Sequence, residues 1–243
     1  MNILFLLLTF NKCLIFITFN YRIVRCTNSY VIGNFKLSGL ENNPLIQLIN
    51  SIQCLFPLND EEVLLLEDHV SIFNADMESH VINPLSVADK LFFLQKGIIR
   101  SFYQKDYKEI NTEFFFENEF FTAFTSFLTE EKTKLYFQCI EQCDLISIPK
   151  TLMDKLLRED TKWNILLNNI LAKEYIKKCR RESSFLLLDA NERYHYFLKQ
   201  FPNADTRIPL FHIASYLGIS PETLSRIRSK KINQIDLSQV NNI

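Results

Sequence analysis

Near its C-terminal end the chain reads LFHIASYLGISPETLSRIRSK, Leu210 to Lys230, and this stretch gathers side chains suited to duplex DNA. Glu222, Ser225 and Arg226 stand three and four positions apart, so a helix carries them on one face. An arginine fork matches the O6 and N7 acceptors of guanine, and a glutamate accepts from the N4 amino group of cytosine or steadies a neighbouring arginine. Thr223, Arg228, Lys230 and Lys231 supply a hydroxyl and positive charges for phosphate oxygens, which set register without reading sequence.

Such chemistry needs a helix held rigidly and presented outward, and the spacing around it supplies both. Counting from Leu210, apolar residues fall at positions four, eight, ten, fifteen and eighteen: Ile213, Leu217, Ile219, Leu224 and Ile227. That set packs two helices at ~90–120° against a third. Ala214 stands where the helices cross and a larger side chain would force them apart. Gly218 supplies the left-handed backbone that ends the first helix sharply. Ser220 then caps the second helix, with Pro221 at its first position, where no N–H is required. The face left outward is Pro221, Glu222, Ser225, Arg226 and Ser229.

The remaining chain divides by pattern. Leu45, Leu48, Ile49 and Ile52 follow a helical period up to Pro57, and Asn59 caps a second short helix that begins with Asp60, Glu61 and Glu62. From about Ser71 to Pro149, short runs rich in Phe, Ile, Val and Tyr alternate with polar turns, as in an antiparallel sheet stack or barrel. Helical periodicity returns at Lys150, and a long helix runs from Trp163 to about Leu188. Ile165, Ala172, Cys179 and Leu186 sit seven apart along it with Ile176 between, a seam that suits pairing with a second copy or burial against the chain's own sheet. Cys139 and Cys143 fall within one apparent strand, which would hold them about 13 Å apart and unable to bridge. Free thiols in a reducing cytoplasm follow.

Charge is divided as well. Residues 1–162 hold 15 Lys and Arg against 21 Asp and Glu, whereas residues 163–231 hold 12 against 6. A polyanion partner therefore belongs with the last part. No nucleophile elbow, phosphate-cradling glycine loop or H-E-x-x-H pattern is present, so the residues offer no catalytic set, no metal set and no enzyme chemistry. Residues 1–40 open with MNILFLLLTFNKCLIFITFN, an apolar run interrupted by Asn11 and Lys12. They are expected to lie outside the functional fold, through an upstream start assignment or as a membrane anchor.

The segment IASYLGISPETLSRIR, with ERYHYFLKQFP (Glu192 to Pro202) before it, resembles the C-terminal domain of Crp/Fnr-type bacterial transcription regulators, the Bacteroidetes-like subgroup fitting best. The resemblance covers roughly residues 41–231. It implies an α+β fold of three parts. These are an antiparallel β-roll sensor of the cyclic-nucleotide-binding, jelly-roll type over 41–160, a long central dimerisation helix over 161–188, and a winged helix-turn-helix over 189–243. The family's E-x-x-S-R pattern, met by Glu222, Ser225 and Arg226, makes these three its base readers. Pro221 stands where many members carry another base contact, so the operator sequence does not transfer.

The resemblance also locates an effector pocket. Cyclic-AMP-binding members carry Gly-Glu-Leu and, about ten residues on, Arg-Ser or Arg-Thr. Here Thr122, Ala123 and Phe124 replace the first run, and Thr133 and Lys134 the second. With Phe121 they belong to EFFFENEFFTAFTSF, which has seven phenylalanines in fifteen positions. Two readings stand: side chains fill the inherited pocket, or they shape it for another ligand. The expectation is a cytoplasmic homodimer that reads a pseudo-palindromic operator, with RNA polymerase as a further partner, an unidentified effector and no cofactor. A signalling module with a vestigial DNA-binding head and a membrane-tethered sensor are the rivals.

Overall fold

The computed structural model describes residues 44–229. Two short helices open it, α1 (Ile46–Gln53) and α2 (Asp60–His69). Leu48, Ile49 and Ile52 of α1 are buried at the period its sequence sets. Asn59 caps α2 through a reciprocal pair: its side chain accepts from the Glu62 N–H at 2.8 Å, and Glu62 accepts from the Asn59 N–H at 3.0 Å.

Eight antiparallel strands follow: β1 (Ser71–Ala75), β2 (His80–Ile82), β3 (Lys90–Lys96), β4 (Ile99–Lys105), β5 (Lys108–Phe115), β6 (Glu119–Phe121), β7 (Tyr136–Cys139) and β8 (Cys143–Pro149). They form two four-stranded sheets, ordered β1-β8-β3-β6 and β2-β7-β4-β5. The sheets enclose a core that includes Leu91, Phe93, Ile99, Phe115, Phe121, Phe137 and Ile146, closed at one end by Leu48, Ile52, Leu66 and Trp163 from the helices. Gly97, between β3 and β4, takes φ +101°, and a Cβ there would meet the Cys143 Sγ at 2.6 Å, so the turn admits glycine alone.

Two local features depart from the sequence reading. A short helix, α3 (Phe124–Thr129), interrupts the strand region between β6 and β7. Its C-cap, Glu130, is left-handed at φ 60°, and the Ser126 hydroxyl inside it donates to the Glu131 carbonyl. Cys139 and Cys143 do not share a strand: β7 ends at the first, the chain reverses through Ile140-Glu141-Gln142, and β8 starts at the second. Both are free, and the passage from one sheet to the other brings the two thiols near enough to influence one another. That influence lowers the pKa of Cys139 and, with burial, raises that of Cys143.

After α4 (Lys150–Glu159), the long helix α5 (Trp163–Leu187) turns two different faces outward and inward. Trp163, Leu166, Ile170, Glu174 and Ser184 are buried, and Lys177 is half-buried on the same face. That inner stripe starts apolar and turns polar, which explains why no clean apolar period marks it in the sequence. Of the seam, Ile165 packs partly covered against the core and Cys179 is half-buried, while Ala172 is exposed and Leu186 is 77% exposed. No helix among the described residues is long and apolar enough to cross a membrane.

Candidate nucleic-acid interface

Four helices end the described chain: α6 (Ala190–Gln200), α7 (Ala204–Arg207), α8 (Leu210–Leu217) and a last one, α9, over residues 221–229. Asp189 and Glu192 cap α6 with the same reciprocal pair as α2. Gly218 ends α8 at φ +66° and ψ 35°, the left-handed cap that its position required. The Thr223 N–H donates to the Ser220 hydroxyl at 3.2 Å, so Ser220 caps α9 with Pro221 as its first residue.

Ile213, Ala214, Leu217, Leu224 and Ile227 are all buried, together with Tyr194 and Phe197 of α6. Ile219 packs beside them, partly covered. That framework leaves Pro221, Glu222, Ser225, Arg226 and Ser229 exposed. The Glu222 carboxyl accepts a hydrogen bond from Ser220, which lowers its pKa and keeps it an acceptor. Thr223 and Arg228 are half-buried. The Tyr194 hydroxyl of α6 donates to Asp205 of α7 at 3.1 Å, and the nearby Arg228 guanidinium of α9 acts on the same phenol. Burial first, then Asp205, pushes the Tyr194 phenol up to about 12. Lys230 and Lys231 lie outside the described residues.

A second feature was missed by sequence reasoning: the helical head is seated on the β-roll. Along β5, Phe115 points into the roll core, while Phe114 enters the core of the head. Phe114 meets Tyr216 at 5.3 Å and Phe197 at 6.1 Å, and Phe116 stacks on Phe201 at 5.0 Å. The uninterrupted Phe114-Phe115-Phe116 run was the available signal, because a strand apolar on successive residues is covered on both faces. Polar groups fix the seat. The Asn111 N–H donates to Ser215 Oγ at 3.0 Å, its side-chain amide donates to the His212 carbonyl at 3.2 Å, and its Oδ1 accepts from Arg100 at 3.1 Å. Burial, then Arg100, lowers the His212 pKa to about 4, so this imidazole stays neutral. Arg207 of α7 joins Glu117 and Glu141 of the roll.

This architecture has solved counterparts. The c-di-GMP responsive global regulator CLP of Xanthomonas campestris is 18% identical with a TM-score of 0.59, over 72% of this chain and 93% of that one. FixK2 of Bradyrhizobium japonicum is 18% identical with a TM-score of 0.60, over 68% and 85%. A crp/fnr-family protein of Eubacterium rectale is 16% identical with a TM-score of 0.60, over 72% and 85%. The fold is that of the Crp/Fnr regulators. No protein-family model matches the chain, and no curated protein matches it.

Within this Crp/Fnr fold, the six positions assigned to the effector pocket are largely built into the core. Phe121 is fully buried, 5.3 Å from the rings of Phe92 and Phe115 and 5.8 Å from Phe137. The Thr122 hydroxyl donates to the Lys90 carbonyl at 2.8 Å, and Ala123 is buried as the N-cap of α3. Phe124 is half-buried. Thr133 is buried, with its backbone N–H on Ser86 and its hydroxyl accepting from the Leu135 N–H, and Lys134 is exposed. None of the six lines the cavity of about 390 Å³ that opens between the roll and α5.

Proposed function

We propose that this protein is a cytoplasmic, homodimeric transcription regulator that reads a specific DNA operator through α9. One observation carries the reading. Glu222, Ser225 and Arg226 stand together on the exposed N-terminal turns of a helix whose opposite side is locked by Leu224 and Ile227. A recognition helix places those turns against base edges in the major groove. Exposed Pro221 and Ser229 flank them, and half-buried Thr223 is the residue we assign to a phosphate. The outward stripe of α5, with Leu186 and Leu187 both more than three-quarters exposed, suits a second copy. Two heads paired through it would read half-sites about 34 Å apart.

The cyclic-AMP pattern is absent at residues 121–134, and we read buried Phe121, Thr122, Ala123 and Thr133 as filling the inherited pocket. The Phe121 stack and the Thr122 bond to Lys90 support this filling. Selection of operators from random duplexes tests the function. The expected outcome is an enriched pseudo-palindrome, with affinity falling steeply as salt rises because neutralised phosphates release counterions. Recovery of no motif, with binding indifferent to salt, would favour a signalling module whose head no longer engages DNA.

A further inference from the structure

Glu113 of β5 lies where the roll, the long helix and the head meet, and it is 3% exposed. Two residues before it on the strand, Asn111 carries the polar seat of α8. Arg181 of α5 donates to the Asn111 carbonyl at 3.2 Å and to the Tyr216 carbonyl of α8 at 3.0 Å, so one guanidinium joins all three parts. A charge buried at such a joint costs free energy unless it is paired. Glu113 has no ion pair among the described residues.

The surrounding groups show why. From α5 it faces Glu174, Lys177, Lys178 and Arg181, from β6 Glu119, and from α8 Tyr216. Arg193 and Tyr196 of α6 and the exposed Arg180, Glu182 and Tyr103 stand around the same clefts. Lys177 acts on Glu113 most strongly of the cations, but its Nζ is already shared by Glu119 at 3.0 Å and Glu174 at 3.2 Å. Arg181 is committed to its two carbonyls and to the rings of Phe185 and Tyr216, 4.8 Å from each. Arg193 donates to the carbonyls of Leu188 and Leu217. Lys178 is exposed, and solvent screens its charge.

Three carboxyl groups therefore compete for one half-buried ammonium. Burial raises the Glu113 pKa to about 7, with Lys177 opposing the rise and Glu174 and Glu119 adding to it. The neutral form suits the joint. The ionised form sets a third negative charge beside Lys177 with no cation left for it.

We propose that Glu113 is a proton-operated lock on the joint between the roll, α5 and the head: protonated, it allows α5 and α8 to close on β5, and ionised, it loosens both. Loosening α8 reaches the recognition helix, because Ile213 and Leu217 share one core with Leu224 and Ile227. That bearing on DNA rests on the regulator reading, but the lock itself does not. The closed joint holds the proton and the opened joint releases it, so opening is favoured as pH rises. With an ordinary carboxyl near 4.5 in the open joint and about 7 in the closed one, the opening constant grows about tenfold from pH 6 to pH 8.

Hydrogen exchange of the full chain, read by mass spectrometry at pH 6 and pH 8, tests the lock. Dividing each rate by that of Glu113→Gln at the same pH cancels the intrinsic pH dependence of exchange. Peptides from the second half of α5 and from α8 should show the parent-to-variant ratio rising about tenfold, while peptides from α2 and β1 stay flat. In a Glu119→Gln background, where Lys177 is freed for Glu113, the same comparison should rise clearly less. A flat or falling ratio at α5 and α8, or an equal rise in the Glu119→Gln background, would overturn the proposal. Carbon NMR of the glutamate side chains in the parent gives a reading that needs no variant. A carboxyl titrating near 7 is expected, and none above about 5 would also overturn it. Duplex affinity on the same samples tests the consequence, and should change between pH 6 and pH 8 more in the parent than in Glu113→Gln. An identical change in both would refute the link to DNA. Absence of duplex binding at either pH would sink the regulator reading and leave the lock standing.

Discussion

Replacing Phe121 by alanine removes a ring that is fully buried and stacked among Phe92, Phe115 and Phe137. Withdrawing a side chain of this size from an apolar site forfeits ~1.5–3 kcal/mol of transfer free energy. The hole adds to that, because stacked rings held by strand pairing on both sheets collapse only in part, and a total of ~3–5 kcal/mol follows. Urea unfolding followed by circular dichroism measures it, with the midpoint shifted and the slope unchanged. Against a typical stability of ~5–15 kcal/mol the variant stays folded or falls near the threshold. Phe121→Leu, expected to cost less than Phe121→Ala, keeps the measurement possible in the second case. Half-buried Phe124 should cost clearly less when truncated to alanine. A loss below ~1 kcal/mol for Phe121→Ala would refute the view that this ring fills the interior and would return it to the lining of a ligand pocket.

Three further outcomes follow from the same geometry. Gly218→Ala forces a left-handed alanine at φ +66° with its Cβ 2.8 Å from Phe185 Cε1, and should cost ~1–2 kcal/mol, read as a drop of several degrees in thermal unfolding. No drop would mean that the cap is not left-handed in solution. Arg207→Ala leaves Glu117 and Glu141 facing one another without their cation, and a loss of ~1 kcal/mol is expected, shrinking in the Glu117→Gln background. Equal losses in both backgrounds would deny the clamp. The raised pKa of Glu113 means the folded state binds the extra proton. Its contribution to stability is therefore full below about 4.5 and lost as pH rises towards about 7. Glu113→Gln should remove that part of the pH dependence and leave the protein more stable than the parent at pH 8.

What could be read from the chain depended on how local its cause was. The helix-turn-helix rests on contacts within twenty residues, so Ala214, Gly218 and Ser220 announced their roles through spacing alone. The strands were visible because alternation is local too, and Asn59 through Glu62 carried their cap openly. Features fixed by distant partners were not visible. Arg181 and Glu174 look like surface charges on a long helix until β5 and β6 are placed beneath them. Asn111 looks like a strand interruption until His212 and Ser215, a hundred residues on, cover it. The misreading of Cys139 and Cys143 had a local cause: Ile140 continues the apolar alternation across what is a turn, and Glu141-Gln142 is a weak turn signal. Phe114 and Phe116 were read with the same cluster as Phe121, although the strand turns them to the opposite side, under the head.

The central claim, that α9 reads bases, rests most directly on Arg226. Its affinity for a selected operator, and for every single-base variant of one half-site, can be compared between the parent and Arg226→Ala across a salt series. Arg226→Ala should lose about 1–3 kcal/mol, relax discrimination at one base pair per half-site, and leave the salt slope nearly unchanged. Undiminished affinity with all base preferences intact would contradict it.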